Sequence, residues 1–130
     1  MSAPDSDVPF DLAAARYVSL VTHRRDGREV ATPVWIAPAD GAHYVFSEAR
    51  AGKVRRIRAN PAVRLARCDM RGRVLSAACD ATARVVTDAA TIDRAYAALR
   101  RKYGWQMRLI DLMSRLAGRY DQRAILEIRR

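Results

Sequence analysis

Apolar and polar positions alternate with a period of two along the front third of the chain, the spacing of half-buried β-strands. "RYVSLVTHR" (16–24) is β-branched and aromatic, and "RDG" (25–27) reads as a turn. "REVATPVWIAP" (28–38) resumes the alternation, with Val30, Thr32, Val34 and Ile36 on one face and Ala31, Pro33 and Trp35 on the other. "ADG" (39–41) turns again into "AHYVFSE" (42–48). Three strands joined by tight Asp-Gly turns predict an antiparallel meander. Pro33 lacks an amide proton, so it marks an edge, a bulge or a place where something other than a strand meets the backbone.

The period then changes. In "SEARAGKVRRIRANP" (47–61), Val54, Ile57 and the stem of Arg58 share one helical face, and Asn60-Pro61 ends the helix. "AVRLARCD" (62–69) returns to strand, and "RVLSAACDATARVVT" (73–87) predicts a long strand bent near Ala77-Ala78. From Asp88 the pattern is helical, with Ile92, Ala95, Tyr96, Leu99 and Tyr103 in one stripe and Gly104 as the stop. A second helix near 106–117 carries Met107, Ile110, Met113 and Leu116 and ends at Gly118; "RAILEIRR" (123–130) is a final strand. Six strands with interspersed helices predict a mainly β fold, a small β-barrel with flanking helices, in one domain over residues 10–130. The polar "MSAPDSDVP" (1–9) is expected to be a flexible N-terminus.

Composition narrows the partners. The chain has 130 residues, 50% of them hydrophobic, and a net charge of +10, which attracts anions of every kind. It has no apolar run long enough for a membrane span and no apolar leader, so a cytoplasmic protein is expected. Cys68 and Cys79 read as buried thiols; if "MRG" (70–72) is a turn, Cys68 faces roughly Leu75 rather than Cys79. His23 and His43 are the only histidines and lie in no ligand motif, so no metal site is expected.

The candidate chemistry sits in the basic stretch. A helix starting near Ala51-Gly52 offers unpaired amides and a positive dipole end, and Gly52 admits a ligand close to the backbone. Ser47 adds a hydroxyl and Lys53 a first-turn charge, with Arg56 three residues on along the same face. This is an oxyanion cradle or, equally readable, a solvated basic helix whose Val54 and Ile57 are buried. Nucleic acid fits less well, because residues 47–75 hold no aromatic platform and no helix precedes this one to make a helix-turn-helix.

Taken together, "DG…TPVW", the run from "SEARAGK" to "NPAV" and "CDMRGR" resemble the split β-barrel family related to pyridoxamine 5′-phosphate oxidase. The likeness is strongest to its actinobacterial branch using the deazaflavin coenzyme F-420. It covers residues 16–87, and the later helices and strand fit in order and length. The resemblance implies a six-stranded antiparallel split β-barrel of the FMN-binding type. It implies a homodimer with the cofactor in a groove at the subunit interface. It further implies that Ser47, Arg50, Gly52 and Lys53 hold the cofactor's phosphate, with Arg56 behind them. Thr32, Pro33, Val34 and Trp35 match the strand facing the ring, although a core role competes for Trp35. His23 and Arg24 lie within reach of the groove, where surface or core roles compete.

The chain departs from the pyridoxamine phosphate oxidases themselves. Ala31 and Ile36 replace basic positions, and "DQRAILEIRR" lacks the family's substrate-binding Trp and Arg. The implied activity is hydride transfer from reduced F-420 to an organic acceptor, a reductase rather than an oxidase. FMN is the alternative cofactor, in an FMN-dependent oxidoreductase or a non-catalytic protein binding F-420, FMN or haem. No general acid has a clear address; Tyr44, Tyr96 and Tyr103 are candidate donors with competing structural roles.

Overall fold

The computed structural model describes residues 10–116 and 123–130. Residues 1–9, expected to be a flexible terminus, and Gly118, expected to stop the last helix, lie outside the described residues. In chain order the elements are β1 (Val18–His23), β2 (Glu29–Val34), β3 (Ile36–Ala39), β4 (Ala42–Glu48), α1 (Gly52–Ala59), β5 (Ala62–Arg67), β6 (Cys79–Val86), α2 (Ala89–Tyr103), α3 (Trp105–Leu116) and β7 (Arg123–Arg129).

Seven strands replace the six expected, because the stretch 28–38 is two strands and not one. β2 pairs with β1, β3 pairs with β4, and only Trp35 separates them. The sheet order is β2-β1-β5-β6-β7-β4-β3, antiparallel at each step. Its two outermost strands are thus consecutive in the chain, so the sheet must curl until they meet. That curl is the barrel, and Trp35 is its seam.

Each turn has a local cause. Gly27 takes a φ of 90°, and Asp40 and Gly41 take 50° and 81° to close the β3–β4 hairpin. Two successive positive φ values match the twist of the flanking strands. The expected strand over 73–87 begins only at Cys79. Before it, one bridge pairs Cys68 with Val74, one residue from the expected Leu75. The side chain of Ser76 accepts from the Arg67 amide at 2.9 Å, which interrupts the ladder there.

Two cores result. Inside the barrel, Val18, Leu20, Ile36, Val45, Leu65 and Leu126 pack under Val54 and Ile57 of α1. On the outer face, Ala95, Leu99 and Tyr103 of α2 with Met107 of α3 cover Ala37, Tyr44 and Ile125. α2 follows its sequence pattern, capped by Asp88, whose carboxylate accepts from the Thr91 amide at 2.9 Å. α3 forms where its pattern predicts a helix and buries only part of that pattern. Met107 is buried, whereas Met113 and Leu116 face solvent, because residues three apart drift about 60° around a helix at each step.

A polar ladder crosses the outer face. Tyr44, Glu127 and Arg84 lie opposite one another on β4, β7 and β6. The buried Glu127 carboxylate accepts from Tyr44 at 3.0 Å, from Arg84 at 2.9 and 3.1 Å and from Arg129 at 2.9 Å. Burial pushes this carboxyl up, but the hydrogen bonds from Arg84, Arg129 and Tyr44 outweigh it and hold the pKa at about 2, against 4.5 ordinarily. As pH falls between those values the unfolded chain binds a proton that the folded chain refuses, so stability drops. The loss is roughly 2–3 kcal/mol, moderated because both arginines are half in water. Denaturant titrations at the two ends of this window measure it, and Glu127→Gln is expected to flatten the acid limb; an unchanged slope contradicts the assignment.

Candidate functional site

The head of α1 is built to be open. Ala51 caps it without a side-chain hydrogen bond, and its first turn holds no acidic residue. Uncapped amides at a helix start carry partial positive charge. Around them cations crowd. Lys53 is half-buried, and burial, then Arg56, lowers its pKa against an opposing effect from Glu48. Arg56 is lowered in turn by burial and by Arg24 and Arg55. Its Nε donates to Thr22 Oγ1 at 2.7 Å, which folds the guanidinium back over Gly52. A Cβ at Gly52 would stand 2.6 Å from that guanidinium, so the missing side chain is what admits it.

The seam brings the second part. Trp35 stacks on Tyr103, with ring centroids 4.4 Å apart at 6°, and meets Phe46 edge-on at 6.1 Å. Tyr103 holds this corner from behind: its hydroxyl accepts from the Ile36 amide at 3.0 Å and donates to the Arg16 carbonyl at 3.0 Å. Burial pushes this phenol up to about 12. Lys102 donates to the carbonyls of Ile36 and Leu12 at 2.5 and 3.3 Å. Burial and Arg16 lower its pKa to about 8, against Asp11.

Between seam and helix lies a hollow of about 220 Å³ lined by Tyr17, Pro33, Val34, Trp35, Phe46, Lys53, Met70 and Ile110. The "CDMRGR" hairpin reaches it too. Asp69 closes that turn by accepting from the amides of Arg71 and Arg73, both at 2.9 Å. A Cβ on Gly72 would be 3.7 Å from the Pro33 ring. Stretches distant in sequence therefore meet at one place.

Of the expected site residues, Pro33, Val34, Trp35 and Lys53 line the hollow, and Gly52 and Arg56 adjoin it at the helix head. Thr32 precedes them with its hydroxyl buried and, among the described residues, without a hydrogen-bond partner. Ser47 and Arg50 are placed elsewhere. Ser47 is buried on the strand face opposite Phe46 and donates to the Glu48 carbonyl at 3.2 Å, while Arg50 is exposed on the link to α1. Arg24 lines a separate cleft of about 460 Å³ with Arg25, Asp26 and Arg28. His23, at the end of β1, does not line the hollow. Ala31 is exposed, and Ile36 is fully buried in the barrel.

Sequence reasoning missed Tyr17, Phe46, Met70 and Ile110. Phe46 could have been found, since strand alternation places it opposite Ser47. Tyr44, Tyr96 and Tyr103 do not line the hollow; Tyr44 is committed to Glu127 and Tyr103 to the seam. A larger hollow, about 740 Å³ between residues 10–16 and the 67–77 segment, includes Arg16, Cys68 and Ser76 and gathers none of the expected site residues.

An uncapped cationic helix head facing an aromatic corner can hold a flat ring with an anionic arm. A curled antiparallel sheet closed at one seam, with helices outside, defines the split-barrel class. The sequence profile of the pyridoxamine 5′-phosphate oxidase family matches residues 9–129, and the chain belongs to that family. Comparison with curated proteins finds no match. Among solved structures, the chain is similar to an F420 reductase at 20% identity, covering 99% of this chain and 94% of that one with a TM-score of 0.58. A FAD-binding protein from Mesorhizobium loti shares 22% identity over 91% and 81% with a TM-score of 0.61. HutZ, the heme storage protein from Vibrio cholerae, shares 14% over 91% and 83% with a TM-score of 0.66. At these identities the likeness concerns the fold. Among the described residues no helix is long and apolar enough to cross a membrane.

Proposed function

We propose that this chain is a cytoplasmic oxidoreductase that uses reduced F-420 to pass hydride to a small organic acceptor. It works as a homodimer with the cofactor groove between subunits. The observation that carries this reading is the meeting of Lys53 with Pro33, Val34 and Trp35 around one hollow. Lys53, Arg56 and the α1 amides would hold the anionic arm, and Trp35 with Phe46 would border the ring. An anion there offsets both the burial and the mutual repulsion that lower the Lys53 and Arg56 pKa values. When bound, F-420 supplies the hydride; these residues bind it, orient it and exclude water.

Two further features support the reading. At about 220 Å³ the hollow falls short of an ordinary ligand site, so a second wall from another copy suits it. The neighbouring hairpin exposes Met70, Val74 and Leu75, side chains that a subunit contact would cover. F-420 is preferred over FMN because exposed, uncharged Ala31 and core-buried Ile36 stand where the phosphate-binding oxidases are basic.

Titrating the purified protein with F-420, FMN and haem, with mass measured by light scattering, tests this. Expected are saturable F-420 binding, twice the mass of one chain, and acceptor-dependent oxidation of reduced F-420. Tight FMN or haem binding without F-420 binding, or a strictly monomeric protein, overturns it.

A further inference from the structure

Alternation along β1 places Val18, Leu20 and Thr22 on one face, and all three are fully buried. The first two belong to the barrel core, whereas Thr22 carries a hydroxyl where the pattern calls for another apolar side chain. A buried hydroxyl needs hydrogen bonds, and this one has them on both sides. Thr22 Oγ1 donates to the Val30 carbonyl at 3.4 Å and accepts from Arg56 Nε at 2.7 Å. The strand carbonyl thus takes the hydroxyl proton and leaves the lone pairs turned to Arg56.

That bond engages Arg56 through Nε alone. Among the described residues Nη1 and Nη2 make no hydrogen bond, and the side chain forms no ion pair. A guanidinium is a rigid planar fork, so holding it at Nε fixes the plane of the rest. The charged groups that act on it, Arg24 and Arg55, are both cations. Its place is also unfavourable in itself, since a cation at a helix N-terminus opposes the dipole. A half-buried cation held by a neutral oxygen among other cations contributes little to stability, and an anion would relieve all of this at once.

We propose that Thr22 is a positioning residue: it aims the Arg56 fork over the first turn of α1, where the fork takes an oxyanion through two parallel bonds. Carboxylate and phosphate share the geometry that such a fork matches. The proposal rests on the reading that the anionic arm of the cofactor lies at this helix head, and it adds what aims the fork. Gly52 belongs to the same arrangement. Expected to admit a ligand close to the backbone, it admits the chain's own guanidinium: a Cβ there would stand 2.6 Å from Nη1 and 3.4 Å from Cζ of Arg56.

Wild type, Thr22→Val, Thr22→Ser and Gly52→Ala are titrated with F-420 by fluorescence, with melting temperatures measured alongside. Valine keeps the shape without the hydroxyl and is expected to weaken binding roughly three- to tenfold, the worth of one hydrogen bond, while melting close to the wild type. Serine restores the hydroxyl and should bind within about twofold of the wild type. Gly52→Ala reads the same arrangement from the other side: it should weaken binding by displacing the fork, yet raise the melting temperature by stiffening the chain. With Arg56→Ala already in place, Thr22→Val and Gly52→Ala should cost no further affinity, because both act through that fork. Thr22→Val binding like the wild type, or a loss that persists without Arg56, overturns the role given to Thr22. A wild type that binds no F-420 overturns the reading of the site itself, and this proposal with it.

Discussion

Replacing Lys53 by alanine is expected to lower the affinity for F-420 ten- to a hundredfold while barely changing the melting temperature. A charge-assisted contact to a partly buried anion contributes about 1.5–3 kcal/mol, which is this range. In the free protein Lys53 contributes little. Among the described residues it makes no hydrogen bond, and burial and Arg56 both disfavour its charged form. Its removal relieves that strain and costs affinity only when an anion is present. Lys53→Arg, which keeps the charge, should recover part of the loss. Because the pKa is lowered, binding should weaken with rising pH earlier than an exposed lysine would dictate. Fluorescence or absorbance titration reads each outcome; alanine binding as tightly as wild type removes Lys53 from the site.

Asp111→Asn is expected to cost about 3–5 kcal/mol, a fall in melting temperature of roughly 10–15 °C. The Arg123 side chain is only 4% exposed and lies over Phe46 and Tyr96, with its guanidinium 4.8 and 4.9 Å from their ring centroids. Its ion pair with Asp111, at 2.7 Å, offsets the burial of that charge, and Arg100 steadies the same carboxylate at 3.0 Å. An asparagine keeps the shape and removes the charge, leaving a buried guanidinium short of its counterion. Since this bridge joins α2, α3 and β7, cooperative unfolding should survive at a lower temperature. A fall of under about 3 °C by calorimetry indicates that the ion pair is not needed.

Much of the fold is legible in the chain because local and global preferences agree. Glycine or Asp-Gly sits where the backbone needs positive φ, Val54 and Ile57 are the buried pair of α1, and Asp88 and Gly104 bound α2. The break at Trp35 is not legible, since inward and outward positions continue in phase across it, with Val34 and Ile36 both in the barrel core. What changes there is the hydrogen-bonding partner, which leaves no trace in polarity. α3 is legible as a helix, but which of its apolar residues are buried is not, since that depends on how α3 sits against the rest of the fold. In the site, Lys53 and the "TPVW" stretch could be named from sequence. Tyr17, Met70 and Ile110 could not, because three elements contribute one residue each and only the curl of the sheet brings them together.

The shared length of backbone from Glu29 to Ala39 has a consequence for how the molecule tolerates change. It clasps both margins of the sheet, so an insertion of one residue at Trp35 would reverse inside and outside for whichever half yielded. Neither hairpin can slip alone without dragging the other. Natural variation in length should therefore be barred from this short crossing and diverted to the ends of the strands it joins.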